Sequence, residues 1–165
     1  MDMQTFDWTS FTLRTVIKAP LTTLYRAWTS SGEIERWFLK KADHYDQGRL
    51  LSSDQICHAG CSYAWTWYLF QETEEGRFTE ANGTDHLQFS FAGSCLVDIH
   101  LKAVEELTEV TLTQKDIPTD ERSKRQIRLG CQGGWSFFLL NLKSVYEGGL
   151  DLRNKEERFK GLVNN

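Results

Sequence analysis

The sequence is short of the features that mark several common function classes. It has no run of Lys and Arg, and a net charge of -4 with a pI near 5.6 sets a mild repulsion against any polyanion, so nucleic acid is not the expected partner. No long apolar run is present and the mean hydropathy is negative at -0.47. From Met1 to Trp8, Asp2 and Asp7 stand where a secretory leader would be first basic and then apolar. These absences point away from the membrane and towards the cytoplasm. There is no Gly-x-Ser-x-Gly, no phosphate-cradling glycine loop and no His-Glu-x-x-His, so ordinary hydrolase and nucleotide chemistry have no motif to rest on. No internal repeat or low-complexity stretch occurs either. The four cysteines, Cys57, Cys61, Cys95 and Cys131, are scattered through a chain with ample core, which favours reduced thiols over a disulfide framework.

What is present suits one folded unit. A length of 165 residues is enough for one domain with a real core and short for two. We expect a single domain over residues 1–150 and a charged tail over 151–165, loose or weakly docked. The aromatic fraction, 13% with six Trp and ten Phe, is more ring surface than a core of this size needs, so some rings are expected to line a site.

Hydrophobic periodicity gives the elements. Phe11, Leu13 and Thr15 alternate with Thr12, Arg14 and Val16, a strand ended by Pro20. Leu21, Leu24, Tyr25 and Trp28 recur at helical spacing, predicting a helix over Leu21–Thr29. Ile34, Trp37 and Phe38 predict a second helix capped by Ser30 or Ser31. The period then changes to two. Cys61, Tyr63, Trp65, Trp67 and Leu69 share one strand face, and Asn82-Gly83 predicts a tight primed hairpin. Ala92-Gly93-Ser94 and the segment Glu105–Thr108 turn the next corners of an antiparallel meander. After Pro118, Thr119 or Asp120 caps a long helix over Glu121–Tyr146 with Trp135, Phe138, Leu139, Leu142 and Tyr146 on one stripe, stopped by Gly148-Gly149. Gly130, Gly133 and Gly134 inside it imply either close approach to the sheet or room for a ligand.

Strand, two short helices, meander and long helix is an order that resembles the START-like helix-grip superfamily, whose best-known plant member is the birch-pollen allergen. Within it the chain is similar to the group named after the activator of the ninety-kilodalton heat-shock chaperone's ATPase. The likeness is carried by Val16-Ile17-Lys18-Ala19-Pro20 running into Leu24–Thr29, by Trp37-Phe38, by Thr108–Gln114, and by Gly133-Gly134-Trp135 followed by Leu139, Leu142 and Lys143. It implies an α+β fold with a curved antiparallel sheet of six or seven strands around the long C-terminal helix, and a cavity between them. Members include lipid and polyketide binders, cyclases and chaperone regulators, so the likeness alone fixes no chemistry. The bulk of Trp65 and Trp67 departs from what a roomy cavity would want.

The candidate ligand-binding residues are Tyr63, Trp65, Trp67, Phe89, Phe91 and Ile99 on the sheet with Gly134 and Phe138 on the long helix. Such a wall, with the Tyr63 hydroxyl and two indole N–H groups as orienting donors, suits a small planar or lipidic molecule. The same rings at the same spacing also describe a filled core. Cys57, His58 and Cys61 form a Cys-His-x-x-Cys cluster of suitable zinc ligands, but no fourth donor follows from spacing, so neither a metal nor another cofactor is assigned. His44, Tyr45 and Asp46 are the one close set with acid–base potential, and a solvated strand end accounts for them equally; no catalytic residue is assigned. The acidic Glu72, Glu74, Glu75 and Glu80 around a turn at Gly76 offer a surface to a basic partner or to solvent alone. The resulting expectation is a binder of a small apolar molecule, with a chaperone regulator or a cyclase-like enzyme as alternatives, and with monomer and homodimer both open.

Overall fold

The computed structural model describes residues 5–165, so the part of the leader argument that rests on Met1–Gln4, Asp2 included, lies outside the described residues. The period-two segments form β1 (Phe11–Ile17), β2 (Lys41–Asp46), β3 (Arg49–Leu50), β4 (Ser62–Thr66), β5 (Glu74–Ala81), β6 (His86–Phe91), β7 (Cys95–Val104) and β8 (Leu107–Lys115). They make one antiparallel sheet in the order β1-β8-β7-β6-β5-β4-β2-β3. Eight strands stand where six or seven are expected. The difference includes β3, which has two residues and therefore no period to read; it folds back on β2 through Gln47 and Gly48, whose φ values of 49° and 80° form a tight left-handed turn.

Helix α1 occupies Leu21–Thr29, the span its spacing predicts, and α2 occupies Ser31–Ile34. Together they carry the chain from the β1 edge to the opposite edge at β2 and β3. Leu24, Tyr25 and Trp28 are buried, and Trp37 donates its indole N–H to the Ala27 carbonyl at 2.9 Å, tying the residues after α2 back onto α1. The C-terminal helical region is not uniform. A short α3 (Glu121–Ser123), capped by Asp120, leads into a π-helical segment over Lys124–Leu129 and then α4 (Gly130–Gly148). Gly149, at φ 73°, ends α4 in the left-handed conformation that glycine adopts without strain. Trp135, Leu139, Leu142 and Val145 of α4 are buried, completing a helix-grip fold. No helix among the described residues is long and apolar enough to cross a membrane.

Two expectations are corrected and a third is narrowed. The Asn82-Gly83 loop is wider than a two-residue primed turn: only Gly83 has a positive φ, and the Asn82 side-chain oxygen accepts from the backbone N–H groups of Thr84, Asp85 and His86 at 2.9, 3.0 and 3.1 Å. The amide side chain substitutes for backbone pairing and holds the loop open. Gly76 lies inside β5 rather than at a turn. It pairs with Tyr63, and a Cβ there would sit 2.5 Å from the tyrosine oxygen, so the glycine makes room for that ring. The charged tail is docked, because Arg153 is an anchor: its side chain is 5% exposed and donates to the carbonyls of Leu39, Glu35 and Arg36 while pairing with Asp151 at 2.8 Å. Buried Asn141 of α4 receives the tail by accepting from the Leu152 N–H at 2.7 Å.

Candidate functional site

The aromatic surplus divides into two regions separated by Phe38. On the core side, Tyr63 and Trp65 stack at 3.7 Å between centroids and Trp65 meets Phe89 edge-on at 5.3 Å. Their polar atoms are used internally: the Tyr63 hydroxyl donates to the Ser90 carbonyl, and the Trp65 indole donates to His44 Nε2 at 3.1 Å. His44 is therefore no solvated strand end. It is 1% exposed, and burial pushes its imidazole down to about 4, so it is neutral at neutral pH. Because an indole can only donate, the His44 proton sits on Nδ1, which faces Cys57 Sγ at 3.2 Å. Its place beside Ala42 on the buried face of β2 was the available signal for this burial. Asp46, the supposed orienter of His44, instead faces His58 at 3.4 Å.

On the other side of Phe38 the rings border a groove of about 430 Å³, within the size range of small-molecule sites. Phe38 meets Trp67 edge-on at 5.4 Å, Phe138 edge-on at 4.8 Å and stacks on Trp135 at 4.9 Å. Phe91 closes the sheet side, 6.2 Å from Trp67 and 5.2 Å from Trp135. The helix side is a stripe at four-residue spacing, Gln126, Gly130, Gly134 and Phe138. A Cβ built on Gly134 meets nothing within 4 Å, which excludes close helix–sheet approach as the reason for that glycine. The π-helical segment immediately precedes the stripe and, with its wider turn, changes the phase in which Gln126 joins it. The polar contributors are few: Glu72, Glu74, Gln126, Cys131 and Asn165. Glu74 accepts from the Ala92 N–H at 2.8 Å, and burial pushes the Cys131 thiol up to about 11, so it stays protonated.

Of the residues singled out from sequence, Trp67, Phe91, Gly134 and Phe138 converge on the groove. Tyr63, Trp65, Phe89 and Ile99 share the strand faces but lie buried in the core behind it. Phe38, Trp135 and Gln126 were not among the candidate ligand-binding residues, and Gly130 was marked only as a helix glycine implying close approach or room for a ligand. The glycines at 130 and 134, four apart and four from Phe138, carried the signal for that stripe. Among the described residues, two groups gather metal-capable side chains: Asp46, His58 and Cys61, and His86, Asp98 and His100. In the second, Lys115 already pairs with Asp98 at 2.7 Å and Gln88 donates to the same carboxylate, so its negative charge is satisfied by the protein.

Comparison with known proteins agrees with this architecture. A protein of Staphylococcus saprophyticus superposes with a TM-score of 0.70 at 18% identity, over 87% of this chain and 96% of that one. The Aha1 dimer from Colwellia psychrerythraea superposes with a TM-score of 0.65 at 19% identity, over 85% of this chain and 97% of that one. An HSP90 activator from Plasmodium falciparum gives a TM-score of 0.61 at 21% identity, over 83% and 95%. At such identities these likenesses establish the fold. No curated protein matches the sequence significantly. The family model described as Activator of Hsp90 ATPase homolog 1-like protein, however, matches residues 18–147, most of the folded region, and the chain belongs to that family.

Proposed function

We propose that the protein binds a small, flat or elongated apolar molecule in the groove between Trp67, Phe91 and the Gly130–Gly134 face of α4. The observation that carries this reading is the glycine stripe facing aromatic rings: two residues that each weaken a helix by about 1 kcal/mol leave open volume beside apolar surface. Rings on several sides suit a ligand with a planar or lipidic body, and the carboxylates of Glu72 and Glu74 favour a neutral or cationic end over an anionic one. The groove's titratable groups do not include a paired acid and base in hydrogen-bond contact, which supports binding ahead of cyclase-like turnover.

The test is uptake of an environment-sensitive apolar dye by the wild type and by Gly134→Leu. The added side chain enters open space, so the fold and melting temperature are retained while dye affinity falls by about tenfold or more. Equal uptake by the two proteins would remove the groove as the binding site. The family match favours a second reading, regulation of a heat-shock chaperone's ATPase through an exterior surface. Under that reading Gly134→Leu stimulates the chaperone's ATPase as well as the wild type does.

A further inference from the structure

The Cys57, His58, Cys61 cluster lacks a further donor in sequence, and the fold brings one to His58 and Cys61. Asp46 ends β2 beside the loop that leads into β4. Its Oδ2 lies 3.4 Å from His58 Nε2, and the donor atoms of Asp46, His58 and Cys61 all fall within 4.8 Å of one another. Cys57 Sγ lies outside that group and faces His44 Nδ1 at 3.2 Å. A sulfur, an imidazole nitrogen and a carboxylate oxygen thus converge from the loop and the neighbouring strand.

The surrounding hydrogen bonds are those a metal site needs. His58 Nδ1 lies 2.9 Å from the Ala59 carbonyl, which can only accept, so Nδ1 carries a proton, and Nε2 is the nitrogen that faces Asp46, donating to it while protonated and open to a metal once that proton leaves. The Cys61 sulfur receives the His58 backbone N–H at 3.4 Å. Such a donor stabilises a thiolate. The loop is braced: Cys57 N–H to the Thr29 carbonyl, Gly60 N–H to the Phe78 carbonyl and Phe78 N–H to the Cys61 carbonyl each span 2.8 Å, and Gly60 at φ 98° makes the turn that returns Cys61 to the site.

We propose that Cys61, His58 and Asp46 form a site for a zinc-class divalent ion. A thiolate and an imidazole select a borderline-soft metal over calcium or magnesium, and three protein donors leave the fourth position of a tetrahedral shell to solvent. A tetrahedral shell with bonds of about 2.0–2.3 Å spaces its donors roughly 3.3–3.8 Å apart. Rotation of the His58 side chain, 60% exposed, closes the remaining distance and leaves a path for entry. Binding releases the Cys61 thiol proton to solvent. The bound ion pins the loop before β4 to the end of β2. Cys61 and Trp67 flank β4 and lie about 20 Å apart along the strand direction, so this site is independent of the groove.

The experiment is a titration of the full chain, reduced and freed of metal by a chelator, with cobalt(II) alone. The expected result is one equivalent bound, with a thiolate-to-cobalt charge-transfer band and tetrahedral visible bands that zinc abolishes. Cys61→Ser removes the charge-transfer band. The exposed His58→Ala, which does not disturb the core, weakens binding by about tenfold or more. His100→Ala, in the other cluster, leaves the titration unchanged. Absence of the thiolate band, or its persistence at full strength in both Cys61→Ser and His58→Ala, overturns the proposal.

Discussion

Trp65 lies on β4 and Trp67 just past its end, two residues on, yet one is fully buried and the other stands at the wall of a groove. The difference lies in what faces them. Trp65 has Tyr63 stacked beside it, Phe89 and Phe38 edge-on and His44 accepting its indole proton. Trp67 looks across Phe38 towards Phe138 and the glycines of α4. Alternation along a strand decides which side of the sheet a ring occupies. Whether the ring is core or lining depends on an element far away in the sequence, here the side chains that α4 omits.

The comparison breaks most visibly under truncation. Trp65→Ala removes a fully buried indole and leaves the His44 Nε2 acceptor without its partner, so a loss of about 3–5 kcal/mol is expected. Trp67→Ala removes a half-buried ring at an open edge and should cost less than half as much. Urea unfolding of the two variants, side by side, measures the difference. Equal costs would mean that the groove side is packed as tightly as the core.

The contrast also marks the limit of what the sequence made legible. Strand faces, the Leu21–Thr29 helix, the Asp120 cap and the Gly149 stop follow from local spacing and turn chemistry, and the structure has them. The π-helical segment over Lys124–Leu129 does not, because its extra residue per turn is a property of backbone hydrogen bonding that the apolar stripe of α4 does not report. The burial of His44 depended on Trp65 pairing with it across strands, and the docking of the tail on carbonyls of Leu39, Glu35 and Arg36 more than a hundred residues earlier in the chain. For the site, the sequence offered eight residues, six aromatic rings with Ile99 and Gly134, chosen by periodicity alone. Separating Trp67, Phe91, Gly134 and Phe138 from Tyr63, Trp65, Phe89 and Ile99 needed the depth of each beneath the helix, which no periodicity encodes.

A smaller effect is expected where the tail meets this architecture. Arg153→Ala deletes a guanidinium that satisfies three backbone carbonyls and the Asp151 carboxylate, at a cost of about 2 kcal/mol. Because Asn165 contributes to the groove, releasing the tail acts on that side of the molecule and leaves the Trp65 stack intact. Limited proteolysis should then cut within residues 150–165 in the variant and spare the wild type. A resistant tail would show that the Asn141 contact holds it without Arg153.

The smallest and most discriminating effect concerns two adjacent glycines. Gly133 and Gly134 both sit in α4 with nothing within 4 Å of a built Cβ, but only Gly134 lines the groove. Alanine at either position relieves the entropic cost of a mid-helix glycine, so each variant should gain about 1 kcal/mol of stability by urea unfolding. If open volume at the stripe serves binding, the two gains come with different consequences. Gly133→Ala leaves dye uptake unchanged, whereas Gly134→Ala lowers it, by less than Gly134→Leu does. Equal stabilisation with unequal uptake would show that glycine is retained at 134 for the space it leaves rather than for the backbone it allows, and equal uptake would deny Gly134 that role.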